Sequence, residues 1–245
     1  MKKTLLLTGL LLAMMVSVAL AGGVNFNWGT VCYTDAPVNA KVFLCNTNSG
    51  SFPMTASFKV DHEIPDFVGV EITIEGQSDA LTLPDWWKVG ASPDCRFGKA
   101  LMSAGFSGVA SDACLDWFGA STLLVYAYTW DTNKAHVTAA AAIPADVPIV
   151  LPIDTEYYAG QLQIVNSKTV GSGVCTGCST GMIWGLYEIV AAGLGVEPNP
   201  GMREELTEAM PGGNQCLVWN NSVQPCAAPV PARNTTWGQV KSLYR

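Results

Sequence analysis

Val68-Gly69-Val70-Glu71-Ile72-Thr73-Ile74-Glu75 alternates apolar and polar residues with a period of two. In an extended chain that period puts Val68, Val70, Ile72 and Ile74 on one face, which predicts a half-buried strand. Val24-Asn25-Phe26-Asn27-Trp28 and Met54 to Val60 alternate in the same way. Lys41–Asn46, Leu123–Trp130, Lys134–Ile143, Tyr157–Val165 and Met182–Val190 are further strand candidates. Turn-forming residues separate them at Asn46–Gly50, Ser78-Asp79, Ser92-Pro93-Asp94, Asp131-Thr132-Asn133 and Pro152–Asp154. Many strands without alternating helices predict an all-β fold, an antiparallel β-sandwich or jelly roll. One short surface helix is expected over Pro200–Ala209, with its acidic residues early and Pro211-Gly212-Gly213 as its stop. The irregular stretch from Leu83 to Asp116, which holds Trp86, Trp87, Cys95 and Cys114, reads as an excursion stapled by a disulfide.

The chain has 245 residues, 49% hydrophobic and 13% charged, about half the charge of an ordinary domain. This excludes disorder for most of its length. Thirteen basic against 20 acidic residues argue against a nucleic-acid partner. Met1-Lys2-Lys3, the apolar run Leu5–Leu20 and Ala19-Leu20-Ala21 read as a signal peptide over 1–21, cleaved before Gly22. No transmembrane span is expected afterwards, because Pro144, Asp146, Pro148 and Pro152 interrupt the longest apolar stretch, Val137–Ile153. The expected organisation is a body over 22–226, a Pro/Ala linker over 227–233 and a tail over 234–245. The body carries 8 basic and 20 acidic side chains, whereas Arg233–Arg245 has three basic and no acidic ones. Trp237, Val240, Leu243 and Tyr244 give this end of the chain an apolar character that suits docking, with Trp237, Leu243 and Tyr244 as the contact residues.

All eight cysteines follow the signal, which predicts up to four disulfides in an oxidising compartment. Short sequence gaps favour nearest-neighbour pairing: Cys32–Cys45, Cys95–Cys114, Cys175–Cys178 and Cys216–Cys226. Cys175-Thr176-Gly177-Cys178 admits two other readings, a redox pair or half of a zinc site completed by Cys216 and Cys226.

Catalytic signals are sparse, and no catalytic residue is assigned. The two histidines, His62 and His136, lie in a loop and on the polar face of a strand, with no nucleophile elbow. Asp112 with Asp116, or Asp154 with Glu156, could serve as a carboxylate pair, but among 20 acidic residues such pairs arise by chance and solvated surface is the better reading. No cofactor is expected. Besides the zinc reading of the cysteines, calcium has candidate ligands, either Asp61, Glu63 and Asp66 or Asp131 with Asn133. Asp85-Trp86-Trp87 is the most suggestive stretch: exposed in a loop, adjacent tryptophans could stack on a glycan or anchor an interface, and buried they would cap the core. Trp117, Trp130 and Trp184 read as core.

Two functions emerge: an exported non-enzymatic binding or structural module facing an unknown surface protein or matrix, and a glycan-binding or carbohydrate-active protein using Trp86 and Trp87. The chain resembles a loose group of uncharacterised exported bacterial proteins. It shares with them Asp85-Trp86-Trp87, the run Lys168–Gly173 into Cys175 and Cys178, and the closing segment Trp237–Arg245. The resemblance implies export, to the periplasm, cell surface or medium, and a β-rich body. It carries no activity.

Overall fold

A computed structural model describes residues 22–32, 38–106, 114–118, 122–195 and 202–226. The tail 234–245, the linker 227–233, the signal 1–21 and Asp112 lie outside the described residues. Twelve strands run in chain order: β1 Gly23–Trp28, β2 Ala40–Lys41, β3 Ser51–Lys59, β4 Ile64–Ser78, β5 Ala100–Ser103, β6 Leu123–Asp131, β7 Lys134–Ala142, β8 Ile149–Leu151, β9 Tyr157–Val165, β10 Met182–Gly193, β11 Arg203–Leu206 and β12 Cys216–Trp219. They form a four-stranded sheet, β1-β3-β9-β5, and an eight-stranded one. The latter runs β2-β12-β10-β4-β7-β6, with β11 added on β10 and β8 on β4. Every strand pair is antiparallel except β12 with β2.

The alternating run Val68–Glu75 lies in β4, inside the larger sheet between β10 and β7. Ile72 faces Ile189 of β10 on one side and Ala139 of β7 on the other, and Ile74 faces Leu186 and Val137. The smaller sheet answers with Phe26, Trp28, Met54, Phe58, Leu162 and Ile164 in the same continuous core. Burying each of these side chains contributes about 1.5–3 kcal/mol, enough to fix the strand register, because a one-residue slip would turn every one of them to the other face. The fold is a disulfide-stapled β-sandwich, as the periodicity predicts.

The smaller sheet is covered on its outer side too. Asn25, Asn27, Thr55, Ser57 and Gln161 are all buried there. They are bonded to one another or to neighbouring loops: Asn25 to Ser57, Gln161 to Thr55, Thr55 to the Gly29 carbonyl, and Asn27 to the Val31 carbonyl and the Val38 amide. Such a layer is stable only because its polar groups are paired. The Cys32–Cys114 disulfide, packed with Tyr158, Phe106 and Phe118, forms an apolar cluster beside it. The outer edge of β1 is sealed by backbone bonds from Val24 to Glu208, Phe26 to Asn214 and Trp28 to Val38.

Several expectations are corrected. The helix over Pro200–Ala209 is absent at 202–206: Arg203–Leu206 is a strand, paired with β10 from Ile189 to Ala192. Its alternation buries Glu204 and Leu206 and exposes Arg203 and Glu205, so tertiary pairing overrides the charge pattern that suggested a helix. Lys41–Asn46 is a strand only at its first residue, and Val42 and Leu44 beyond it are exposed. Trp130, expected in the core, is half-exposed at the sandwich rim, whereas Trp117 and Trp184 are buried.

Nearest-neighbour pairing holds only for Cys216–Cys226. The other bonds are Cys32–Cys114, Cys45–Cys178 and Cys95–Cys175, with sequence separations of 82, 133 and 80. Short loops are the cheapest to close, but the sandwich brings segments distant in sequence side by side, and the pairing follows that topology. Cys175 and Cys178 each have their own remote partner, so neither the zinc nor the redox reading of this pair survives.

Candidate functional site

Asp85-Trp86-Trp87 forms a single 3₁₀ turn, and its tryptophans are fully buried. The exposed-platform reading of Trp86 and Trp87 is therefore corrected. Both rings join Trp28, Phe43, Phe52, Trp184 and Trp219 in one aromatic cluster, with contacting centroids 3.9–5.8 Å apart. Trp86 donates from Nε1 to Thr169 Oγ1 at 2.9 Å and from its amide to the Thr176 carbonyl at 2.9 Å. Asp85 remains at the surface, paired with Lys88 at 2.9 Å.

Arg96 explains why this region must be built so tightly. Its side chain is fully buried, with the guanidinium 3.5 Å from the Trp86 ring centroid. It donates to the carbonyls of Trp86, Val165 and Ser167. Burial pushes its pKa down to about 9, while three carbonyl dipoles and an aromatic face compensate the cation. Beside it the Cys95–Cys175 disulfide ties the turn to the glycine-rich run, and Lys168 donates to the Cys95 carbonyl at 2.7 Å. Gly177 lies at φ +100, where an added Cβ would sit 2.2 Å from Pro84 Cβ. The Asp85-Trp86-Trp87 and Lys168–Cys178 stretches are thus two halves of one structural knot. Sequence could not reveal this, because a Trp-Trp pair has the same letters at a surface and in a core.

The surface available for binding lies elsewhere. β6 is the longest edge strand, and its residues Leu123-Leu124-Val125-Tyr126-Ala127-Tyr128-Thr129-Trp130 are mostly apolar. Among the described residues no strand pairs with its outer edge. At its far end Gly90 packs against Tyr128, where a Cβ would sit 2.3 Å from the Tyr128 carbonyl oxygen, and Leu83 donates to the Thr132 carbonyl. Between Leu123 and Ala127, Leu123 is 65% and Tyr126 36% exposed, while Leu124 packs against the core. Trp130 at the other end is held in orientation: its Nε1 donates to Asp94 at 3.0 Å and Lys88 Nζ lies 4.9 Å from its ring centroid. Sequence reasoning had β6 but not its position at the edge, which depends on strand order.

The ionisable candidates fall in separate places. His136 sits between Glu75 and Asp131, 3.3 Å from each, on the outer face of the larger sheet. Asp131 is thereby engaged away from Asn133, which donates to the Ser78 carbonyl. Asp66, one of the proposed calcium ligands, accepts instead from the Gly195 amide at 2.7 Å, and Glu63 is exposed. Burial raises the Asp116 carboxyl above its usual value. Glu156 is buried and accepts a hydrogen bond from Ser57, while Asp154 sits at φ +63 in the exposed turn before β9.

The crossover between β3 and β4 does bring three ionisable side chains together. Asp61, His62 and Glu204 present donor atoms that all lie within 4.8 Å of one another. Hydrogen bonding to His62 holds the Asp61 carboxyl below its ordinary range, and burial pushes that of Glu204 up.

No helix among the described residues is long and apolar enough to cross a membrane. Comparison with protein-family models, with curated proteins and with solved structures yields no match to this chain.

Proposed function

We propose that this protein is an exported, non-enzymatic binding and structural module that engages its partners by strand addition at the β6 edge. The observation carrying this reading is the apolar stretch Leu123–Ala127 at the end of a large sheet, whose outer edge no strand pairs among the described residues. Unpaired strand edges are templates for another strand, and folded proteins usually cover or charge them; here no Lys, Pro or inward charge interrupts the stretch. Four disulfides support an oxidising destination.

The strand that fits best is the chain's own segment 234–245, which is apolar and basic against a body of net −12. The described chain ends at Cys226, close to where Gln224 contacts Gln77 on β4. Gln77 pairs with Lys134 of β7, which in turn pairs with Asp131 of β6. Two inter-strand spacings, about 10 Å, separate that point from the β6 edge. Seven linker residues reach roughly 20 Å when extended, so the tail can pass the end of β6 that Leu83 and Gly90 cover and run antiparallel to the strand from Ala127 to Leu123. The same edge can accept the tail of a second copy, which would make the module an assembling one.

Hydrogen exchange tests this. In the full chain the outward amides of Leu123–Ala127 should be protected. Removing 234–245, or replacing Leu123 and Val125 by Lys, should expose them, and a synthetic 234–245 peptide should restore protection to the truncated chain only. Equal exchange in all forms contradicts the reading.

Trp130 favours a second reading, glycan binding, because it presents an oriented half-exposed ring beside Asp94 and Lys88. Loss of glycan retention on Trp130→Ala, with the melting temperature unchanged, would support it. Flat glycan-array binding by the native chain would remove it.

A further inference from the structure

The turn Asp61-His62-Glu63 carries the chain from β3 in the smaller sheet to β4 in the larger. Glu204 comes from β11 across the way, on the buried face of that strand, where the alternation with Leu206 would ordinarily call for an apolar side chain. It is 6% exposed. Its Oε1 accepts the Asp61 amide at 2.7 Å, but its Oε2 has no hydrogen-bond partner among the described residues. That orphaned oxygen points at His62 Nδ1, 3.5 Å away, and the same Nδ1 lies 2.5 Å from Asp61 Oδ1. No Lys or Arg among the described residues pairs with Glu204. A buried carboxylate oxygen that accepts no hydrogen bond is costly, so an arrangement that keeps one points to a positive occupant.

We propose that Asp61, His62 and Glu204 bind a divalent transition-metal ion of the zinc class, through Asp61 Oδ1, His62 Nδ1 and Glu204 Oε2. The donor set decides the class. One imidazole nitrogen and two carboxylate oxygens match zinc, whereas calcium and magnesium take oxygen alone. Ligand bonds of about 2.0–2.1 Å require donors roughly 3.3 Å apart, so the His62–Glu204 spacing is already suitable. The Asp61–His62 pair must open by less than about 1 Å, which side-chain rotation supplies as the ion replaces the Nδ1 proton. Three protein ligands leave a fourth position for water or a partner's side chain. The ion would tie the inter-sheet crossover to β11 and so fix the edge of the larger sheet opposite β6. The site also lies at the chain's entry into the body: a Cβ on Gly22 would sit 2.6 Å from the Asp61 nitrogen. It shares no residue with the β6 edge, so its failure and the failure of the docking reading are separable.

The test is calorimetric titration of the full, oxidised, chelator-stripped chain with zinc chloride, alongside Glu204→Gln and His62→Ala. The native chain should take up one zinc and melt at a higher temperature with it. Each variant should bind at least about tenfold more weakly while melting like the native apo form, since even outer-shell changes cost that much. Cobalt in place of zinc should give visible bands of a nitrogen and oxygen tetrahedral site without thiolate charge transfer. No uptake at about 100 µM zinc, or equal uptake by native and variant chains, overturns the proposal and leaves Glu204 to a proton.

Discussion

Removing the Cys95–Cys175 bond should cost the protein more than removing Cys216–Cys226, and the structure sets how much more. The direct separations are 80 and 10 residues. The other bonds shorten the longer loop. From Cys95 the chain runs to Cys114, crosses to Cys32, continues to Cys45, crosses to Cys178 and ends three residues away at Cys175, a path of roughly 35 residues. The chain-entropy relation then assigns about 4 kcal/mol to Cys95–Cys175 and about 2.7 kcal/mol to Cys216–Cys226. Loss of the first also frees the segments that carry Arg96 and Thr169, so the measured cost should exceed the entropic figure. The assay is guanidinium unfolding of two oxidised variants, Cys95→Ala with Cys175→Ala, and Cys216→Ala with Cys226→Ala. A Cys216–Cys226 loss equal to or greater than the other would refute the reasoning, because it would mean that the excursion from Leu83 is held by something other than its cross-link.

Trp86→Ala should destabilise by about 3–5 kcal/mol or abolish folding, since it empties a core site and strands the Arg96 cation; a well-folded variant in urea titration would contradict the knot. Trp86→Phe should fall between, having lost only the bond to Thr169 and part of the ring. Burial raises the phenol pKa values of Tyr128 and Tyr158. A raised folded value means that stability is intact below the ordinary tyrosine pKa near 10 and falls above it, by about 1.4 kcal/mol per pH unit for each buried phenol. Absorbance at alkaline pH should therefore show these two ionising only with unfolding, and Tyr128→Phe should make the stability loss above that pH shallower. Gly177→Ala should cost on the order of 1–3 kcal/mol in thermal melts, through its positive φ and the collision with Pro84.

The strands that read clearly in the sequence are those buried on one face or holding the core, such as Val68–Glu75 within β4 and Lys134–Ile143 as β7. Their periodicity is a direct imprint of burial. β5, β8 and β12 escaped because three or four residues carry too little pattern, and β11 because its acidic side chains read as a helix start. Pairing of the cysteines was illegible for a different reason: proximity in the fold, and not along the chain, chooses the partners. The candidate sites failed at the same step. For Trp86 and Trp87 the sequence leaves a surface platform and a core cap both open, and burial decides for the cap, while Glu204 is visible as a site only beside Asp61 and His62, some 140 residues earlier in the chain.

The docking claim is tested most directly by placing a photoreactive side chain at Tyr126 in the full-length oxidised protein and sequencing the cross-linked peptides. The account predicts adducts with peptides from 234–245, within one chain or between two. Adducts confined to other segments, or to solvent, would contradict it.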